Sequence, residues 1–246
     1  MYELILYIIY YMTLITVNLS YYNQSIDILK KHLEEWNKFP EHIKKKFVFF
    51  IIDDCSKIPI NDILKGYNFE DLNIHLYRVL EDKYCNIAGV RNLGAKECNT
   101  PWMIILDMDT VINSDMAIQV VRKAEDNIND NVVFKFNRKV PNIKNHVKHN
   151  QSHPAVCLIR KEDYWNIGGC EEDLVGHYGQ TDPSFWYKSN GKVRIVIKKS
   201  INLLYYPEGE SDINRDKKHN AKLFKDKVKN KNWSTDYIRF KWIKLL

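Results

Sequence analysis

Two short apolar runs in this chain each end in a pair of carboxylates, and no other feature restricts the fold as much. Met103 to Leu106 (Met-Ile-Ile-Leu) runs straight into Asp107 and Asp109, and Phe47 to Ile52 (Phe-Val-Phe-Phe-Ile-Ile) runs into Asp53 and Asp54. Apolar runs without polar alternation fit strands covered on both faces, as in a parallel sheet flanked by helices. A third strand candidate, Met12 to Val17, is followed by Asn18 to Gln24 and then by Ser25 to Trp36, where Ile28, Leu29, Leu33 and Trp36 have helical spacing. Strand, helix, strand, acids is a βαβ opening, so the expected class is α/β with a mostly parallel central sheet. Ligands in such sheets bind beyond the carboxyl ends of the strands, where both acid pairs fall.

Asp107 and Asp109, two apart on an extended chain, project to one side. Two hard oxygen ligands suit Mn²⁺ or Mg²⁺, especially where substrate phosphates add further oxygens. A solvated turn is the plainer use of the same tripeptide, and a capping carboxylate the plainer use of Asp54. Gly168, Gly169, Gly176 and Gly179 are four of only nine glycines, crowded into one segment, which calls for unusual backbone angles or close ligand approach. Trp165, Tyr178, Phe185 and Trp186 flank them, and their faces can hold a sugar or simply pack in the core.

In order along the chain, four segments resemble the nucleotide-sugar-dependent glycosyltransferases of the GT-A fold, in particular the large family two. They are Ile51 to Ser56 (Ile-Ile-Asp-Asp-Cys-Ser), Asn86 to Ala95 (Asn-Ile-Ala-Gly-Val-Arg-Asn-Leu-Gly-Ala), Leu106 to Asp109 (Leu-Asp-Met-Asp), and Ile167 to Asp182. The last, with its Gly-Gly, acidic, Tyr-Gly and terminal Asp landmarks, is similar to a galactosyltransferase-type acceptor segment.

The resemblance implies a Rossmann-like GT-A sheet and transfer from a nucleotide diphosphate sugar, with uridine as the expected nucleoside, to a hydroxyl of a glycan, glycolipid or glycoprotein acceptor, with inversion and with Mn²⁺ or Mg²⁺. It places Asp53, Asp54, Arg91 and Asp107 at the donor, with Arg91 pairing either Asp54 or the diphosphate. Asp109 becomes the metal ligand, helped by Asp107, and His219 is the candidate for the late histidine that completes the metal shell in some relatives. Asp182 becomes the base. Glu172, Asp173, Tyr178 and Trp186 face the acceptor, and His153 lines the cleft. Thr181 departs from the pattern, because many relatives carry Glu before the base, and this loosens inferences about the acceptor. Two other classes stay open. A sugar nucleotidyltransferase would want a Gly-rich, basic loop after the first strand, and Asn18 to Gln24 has neither glycine nor lysine. A non-catalytic carbohydrate- or membrane-binding relative would keep the fold without the chemistry.

At 246 residues, without repeats or a Pro/Ser-rich linker, the chain reads as one domain over 12–207, with a nucleotide-sugar half (12–112) and an acceptor half (113–207). Residues 1–11 read as an N-terminal extension. Residues 208–246 read as a basic helical extension, with Trp233, Tyr237, Phe240 and Trp242 at roughly helical spacing. The net charge of +6 owes much to Lys44 to Lys46 and to lysines from Lys217 to Lys231. This charge suits a solvated face or peripheral contact with an anionic membrane. Nucleic acid is not expected, since the charge accompanies no recognised motif. Leu4 to Val17 is shorter than the roughly twenty residues a membrane-spanning helix needs, and it lacks a signal peptide's basic n-region. Five cysteines without paired CxxC spacing suggest reduced thiols and a cytoplasmic setting.

Overall fold

The structure, a computed structural model, describes residues 13–69, 71–210 and 213–246. The main elements are β1 (Ile15–Tyr21), α1 (Ile26–Asn37), β2 (Phe47–Asp53), β3 (Ile74–Val79), α2 (Ile87–Glu97), β4 (Trp102–Asp107), β5 (Thr110–Val111), α3 (Ser114–Asp126), β6 (Val132–Lys139), β7 (Ser152–Arg160), α4 (Lys161–Ile167), α5 (Thr181–Ser189), β8 (Arg194–Tyr205), α6 (Lys218–Asn230) and β9 (Trp242–Lys244). The strands form one sheet in the order β5-β8-β6-β7-β4-β1-β2-β3-β9. Its centre, β4-β1-β2-β3, is parallel, and β7 joins β4 and β6 antiparallel to both.

The unbroken apolar runs have a simple cause. Along β4, Ile104 and Leu106 enter the core under α1 and α3, while Met103 and Ile105 enter the core under α2, α4 and α5. Along β2, Phe47, Phe49 and Ile51 face the first core, with Trp36 of α1 stacked on Phe49 at 4.4 Å, and Phe50 and Ile52 face the other side. Both faces are covered, so apolar side chains fill β2 and β4 until the strands end.

The first strand differs from its expected span. It runs Ile15–Tyr21 rather than Met12 to Val17, because Asn18 and Ser20 are buried between β2 and β4 in register with Phe50 and Ile52. Asn18 donates from Nδ2 to the Arg91 carbonyl at 3.1 Å, a tertiary partner invisible in the local pattern. Met12 and the extension 1–11 lie outside the described residues.

The C-terminal extension contributes one helix, α6, and then departs from helical geometry. Trp233, Tyr237 and Trp242 lie outside any helix and pack on different rings, Trp233 meeting Phe224 of α6 at 6.3 Å as well as Tyr187. Trp233 meets Tyr187 at 5.8 Å, Tyr237 meets Trp165 at 5.4 Å and Trp242 meets Tyr77 at 5.9 Å. β9 then pairs antiparallel with β3, satisfying a sheet edge that a helix would have left open. No helix among the described residues is long and apolar enough to cross a membrane. All five cysteines are free.

Candidate active site

Ser20 of β1 lies opposite Asp107 of β4, and Tyr21 lies opposite Asp53 of β2, so neighbouring strands deliver their acids to the same sheet edge. Between the two acids after β4, Met108 turns into the core, and its carbonyl accepts a bond from His32 Nε2 of α1 at 3.1 Å. His32 is wholly buried, and burial pushes its imidazole down to about 4, so it is a neutral donor. With Met108 pinned inward, Asp107 and Asp109 face the edge together.

His153, at the start of β7, joins them: its Nε2 lies 3.4 Å from Asp109 Oδ1 and 4.0 Å from Asp107 Oδ2. Donor atoms of these three residues lie within 4.8 Å of one another, the one such group among the described residues. Asp109 Oδ1 is buried with no hydrogen-bond partner. An orphaned carboxylate oxygen beside a second carboxylate and an imidazole fits a divalent cation, and mixed oxygen and nitrogen donors favour Mn²⁺ over Mg²⁺. His153 Nδ1 accepts from the backbone N–H of Ala155 and Val156, at 3.1 and 3.0 Å. The neutral ring therefore carries its proton on Nε2, and a cation ligated there takes that proton's place.

Arg91 ties the edge together. From α2 its guanidinium donates to Asp107 Oδ1 at 2.8 Å and to Asp182 Oδ1 at 2.7 Å. Burial works against its charge, but the two carboxylates outweigh it and hold the group well above its ordinary value. Burial likewise pushes Asp107 up, and the charge and hydrogen bond of Arg91 lead the influences that more than reverse this, leaving it below the usual range. Arg91 does not reach Asp54. That carboxylate instead accepts from Asn86 Nδ2 and Asn86 N at 3.0 and 3.3 Å, because Asn86, at the head of α2, faces β2 while Arg91, a turn later, faces β4. Burial raises Asp54 to about 7 against the pull of those two bonds.

A cleft of about 550 Å³ gathers Asp54, Arg91, Asp107, Asp109, Tyr178 and Asp182 on its walls, a size typical of small-molecule sites. Gly168, Gly169, Gly176 and Gly179 all take left-handed φ, from +55° to +97°, which shapes the loop carrying Tyr178.

Five expected site residues lie elsewhere. Asp53 is a turn carboxylate: fully buried, it accepts from Ser56 N and Ile60 N and pairs with Arg78. Glu172 is buried and accepts from Asn92 Nδ2, Ile238 N and Arg239 N, and Asp173 pairs with Lys227 and Arg239. Both fasten the C-terminal segment rather than face the cleft. Trp186 donates its indole N–H to the Pro154 carbonyl at 2.7 Å and carries Lys135 on its face. His219 stands apart from the carboxylate pair, its ring stacked on His177 at 3.8 Å. His153 takes the place expected of His219, and its only sequence signal was its position at the head of an apolar run. Arg138 and Gly209, which also line the cleft, carried no signal at all.

Residues 17–179 match the family model "Glycosyl transferase family 2", more than half of the chain, and the chain belongs to that family. No curated protein matches its sequence. Among solved structures it is similar to S. aureus TarS 1-349 in complex with UDP-GlcNAc (16% identity, TM-score 0.65, covering 90% of this chain and 68% of that one). It is also similar to the mannosyltransferase PcManGT from Pyrobaculum calidifontis in complex with GDP-Man and Mn²⁺ (13% identity, TM-score 0.60, 86% and 60%). GalNAc-T7 with UDP, GalNAc and Mn²⁺ is a further likeness (12% identity, TM-score 0.60, 79% and 44%). These likenesses show the GT-A fold, and the chain spans about 44 to 68% of the length of these proteins.

Proposed function

We propose that the protein transfers a sugar from a nucleotide diphosphate sugar, with uridine diphosphate as the carrier, to an acceptor hydroxyl, inverting the anomeric carbon. The observation that carries this reading is that one cleft holds the Asp107, Asp109 and His153 group and Asp182, linked through Arg91. A divalent cation held by Asp107, Asp109 and His153 would supply Lewis-acid charge for the departing diphosphate. Asp54 accepts an N–H of the nucleobase. Asp182 is the base: Arg91 holds its Oδ1, and Oδ2, with no hydrogen bond from the described residues, takes the proton of the attacking hydroxyl. The galactosyltransferase-type segment ending at Asp182 is the acceptor side, and the acceptor is a glycan, glycolipid or glycoprotein. Exposed Lys222, Lys225 and Lys229 of α6 are the residues for any contact with an anionic membrane, since Lys227 is buried against Glu171 and Asp173.

Calorimetric titration with UDP and GDP, with and without Mn²⁺, tests this reading. UDP binding that needs Mn²⁺, is lost in Asp109→Ala and His153→Ala and survives in His219→Ala is the expected result. Absence of binding by either nucleotide with Mn²⁺ present would leave a non-catalytic relative of the fold.

A further inference from the structure

We propose that Arg138 forms a subsite for an anionic group, a carboxylate or a phosphate, carried on the sugar side of the reaction by either the transferred sugar or the acceptor. The inference rests on the glycosyl-transfer reading and adds to it the charge of a reactant.

Arg138, the next-to-last residue of β6, is 7% exposed and lines the cleft. A guanidinium has five N–H donors in a rigid fork. Among the described residues the fork's one hydrogen bond is a long one from Nε to the Gln151 carbonyl at 3.5 Å. Its Nη groups meet no carboxylate of the described residues within ion-pair distance, and the Tyr205 ring, 5.3 Å away, supports one face. Burial pulls the group below its ordinary value, with Asp109 the largest opposing influence. A cation held this deep with open donors fits a bidentate anionic oxygen partner.

The sheet order says which part of the substrates that partner belongs to. Asp54 follows β2 and the Asp107 group follows β4, two strand positions away; β6 is two positions beyond β4 on the opposite side, about 10 Å at ordinary strand spacing. A nucleotide running from Asp54 to Asp107 has its diphosphate at β4, so β6 faces what lies past the diphosphate. The surrounding charge agrees. Lys148 and Arg215 both pair with Glu210, and Lys217 lines the same cleft, so basic side chains gather near Arg138.

The test is calorimetry on the full chain with Mn²⁺. One arm compares UDP-glucuronate with UDP-glucose; the other titrates glucose 6-phosphate and glucose into the UDP-saturated protein. The expected result is that the charged probe binds at least about tenfold tighter than its neutral counterpart in one arm, which identifies the source of the anion. Arg138→Gln removes that preference while changing UDP affinity less than about threefold. Arg138→Lys, which keeps charge and packing but loses the fork, retains part of the preference and stands in should the Gln variant unfold. Equal binding of charged and neutral probes in both arms overturns the inference, as does a loss of UDP affinity in Arg138→Gln equal to the loss of preference. UDP failing to bind with Mn²⁺ would count against the transfer reading instead, and the glucose 6-phosphate arm can still be read without UDP.

Discussion

Arg91 and Asp182, 91 residues apart in sequence, meet in a 2.7 Å ion pair that joins α2 to the head of α5. The same guanidinium grips Asp107 at 2.8 Å, so the two acids are held at a separation set by one rigid fork. Arg91 is itself positioned by Asn18, which caps its carbonyl from the central strand. The proposed base and one carboxylate of the Asp107, Asp109 and His153 group thus share a single positioning residue.

Replacing Arg91 by Met should reduce kcat/KM at least about a hundredfold and cost about 3 kcal/mol or more of stability, because two carboxylates lose a buried partner. Adding Asp182→Asn to Arg91→Met should recover part of the stability and none of the activity. Thermal unfolding and steady-state rates on the four forms of the cycle check this, and purely additive stability losses would contradict the shared-fork arrangement.

Asp54 gives a pH dependence with a definite sign. Its folded value near 7 lies above the ordinary 3.8, so the folded state binds the proton more tightly than the unfolded state. Its ionisation therefore erodes stability as pH rises from about 4 through 7, and the full loss is present above 7. Asp54→Asn should raise Tm at pH 8, leave it nearly unchanged at pH 4, and weaken UDP binding. An equal Tm shift at both pH values would show that burial of this charge is not the cause.

The legible parts of this protein were those written in local pattern. The apolar runs of β2 and β4 announced strands covered on two faces, and the acids after them announced the sheet edge. Arg91 was legible as a cleft residue, but its partners were not, since Asp182 is brought to it by a long excursion through β6, β7 and α4. Glu172 and Asp173 were misleading because an acidic surface loop and an acidic anchor read alike; only the return of residues 232–241 shows that they bind backbone N–H groups and basic side chains. The spacing of Trp233, Tyr237 and Trp242 suggested a helix for the same reason: each has its own distant aromatic partner, and the regular interval is incidental.

Glu172 provides a test of that correction. Glu172→Ala leaves Ile238 N and Arg239 N without their acceptor and takes one of two acceptors from Asn92 Nδ2, which keeps the Cys170 carbonyl, a cost of about 2 to 4 kcal/mol. The variant should become sensitive to limited proteolysis between residues 231 and 241 while UDP affinity stays within about threefold. Unchanged proteolysis combined with a large rise in acceptor KM would return Glu172 to the acceptor site.

Gly209 provides the last prediction, and it concerns backbone contact rather than charge. The single turn Pro207–Gly209 lies against the strand end that carries the metal group, and Tyr206 N donates to the Asp109 carbonyl at 2.8 Å. A Cβ on Gly209 would stand 2.7 Å from Asp109 Cα and 2.8 Å from the Met108 carbonyl oxygen. Both are backbone atoms, and that same carbonyl is already held by His32, so relief has to come from moving either the turn or Asp109. Gly209→Ala should therefore weaken Mn²⁺-dependent UDP binding about tenfold or more while the near-ultraviolet circular dichroism of the folded protein is retained. A variant that lost the dichroism together with the binding would point to general unfolding, and one that kept its UDP affinity would show that the turn gives way without disturbing Asp109.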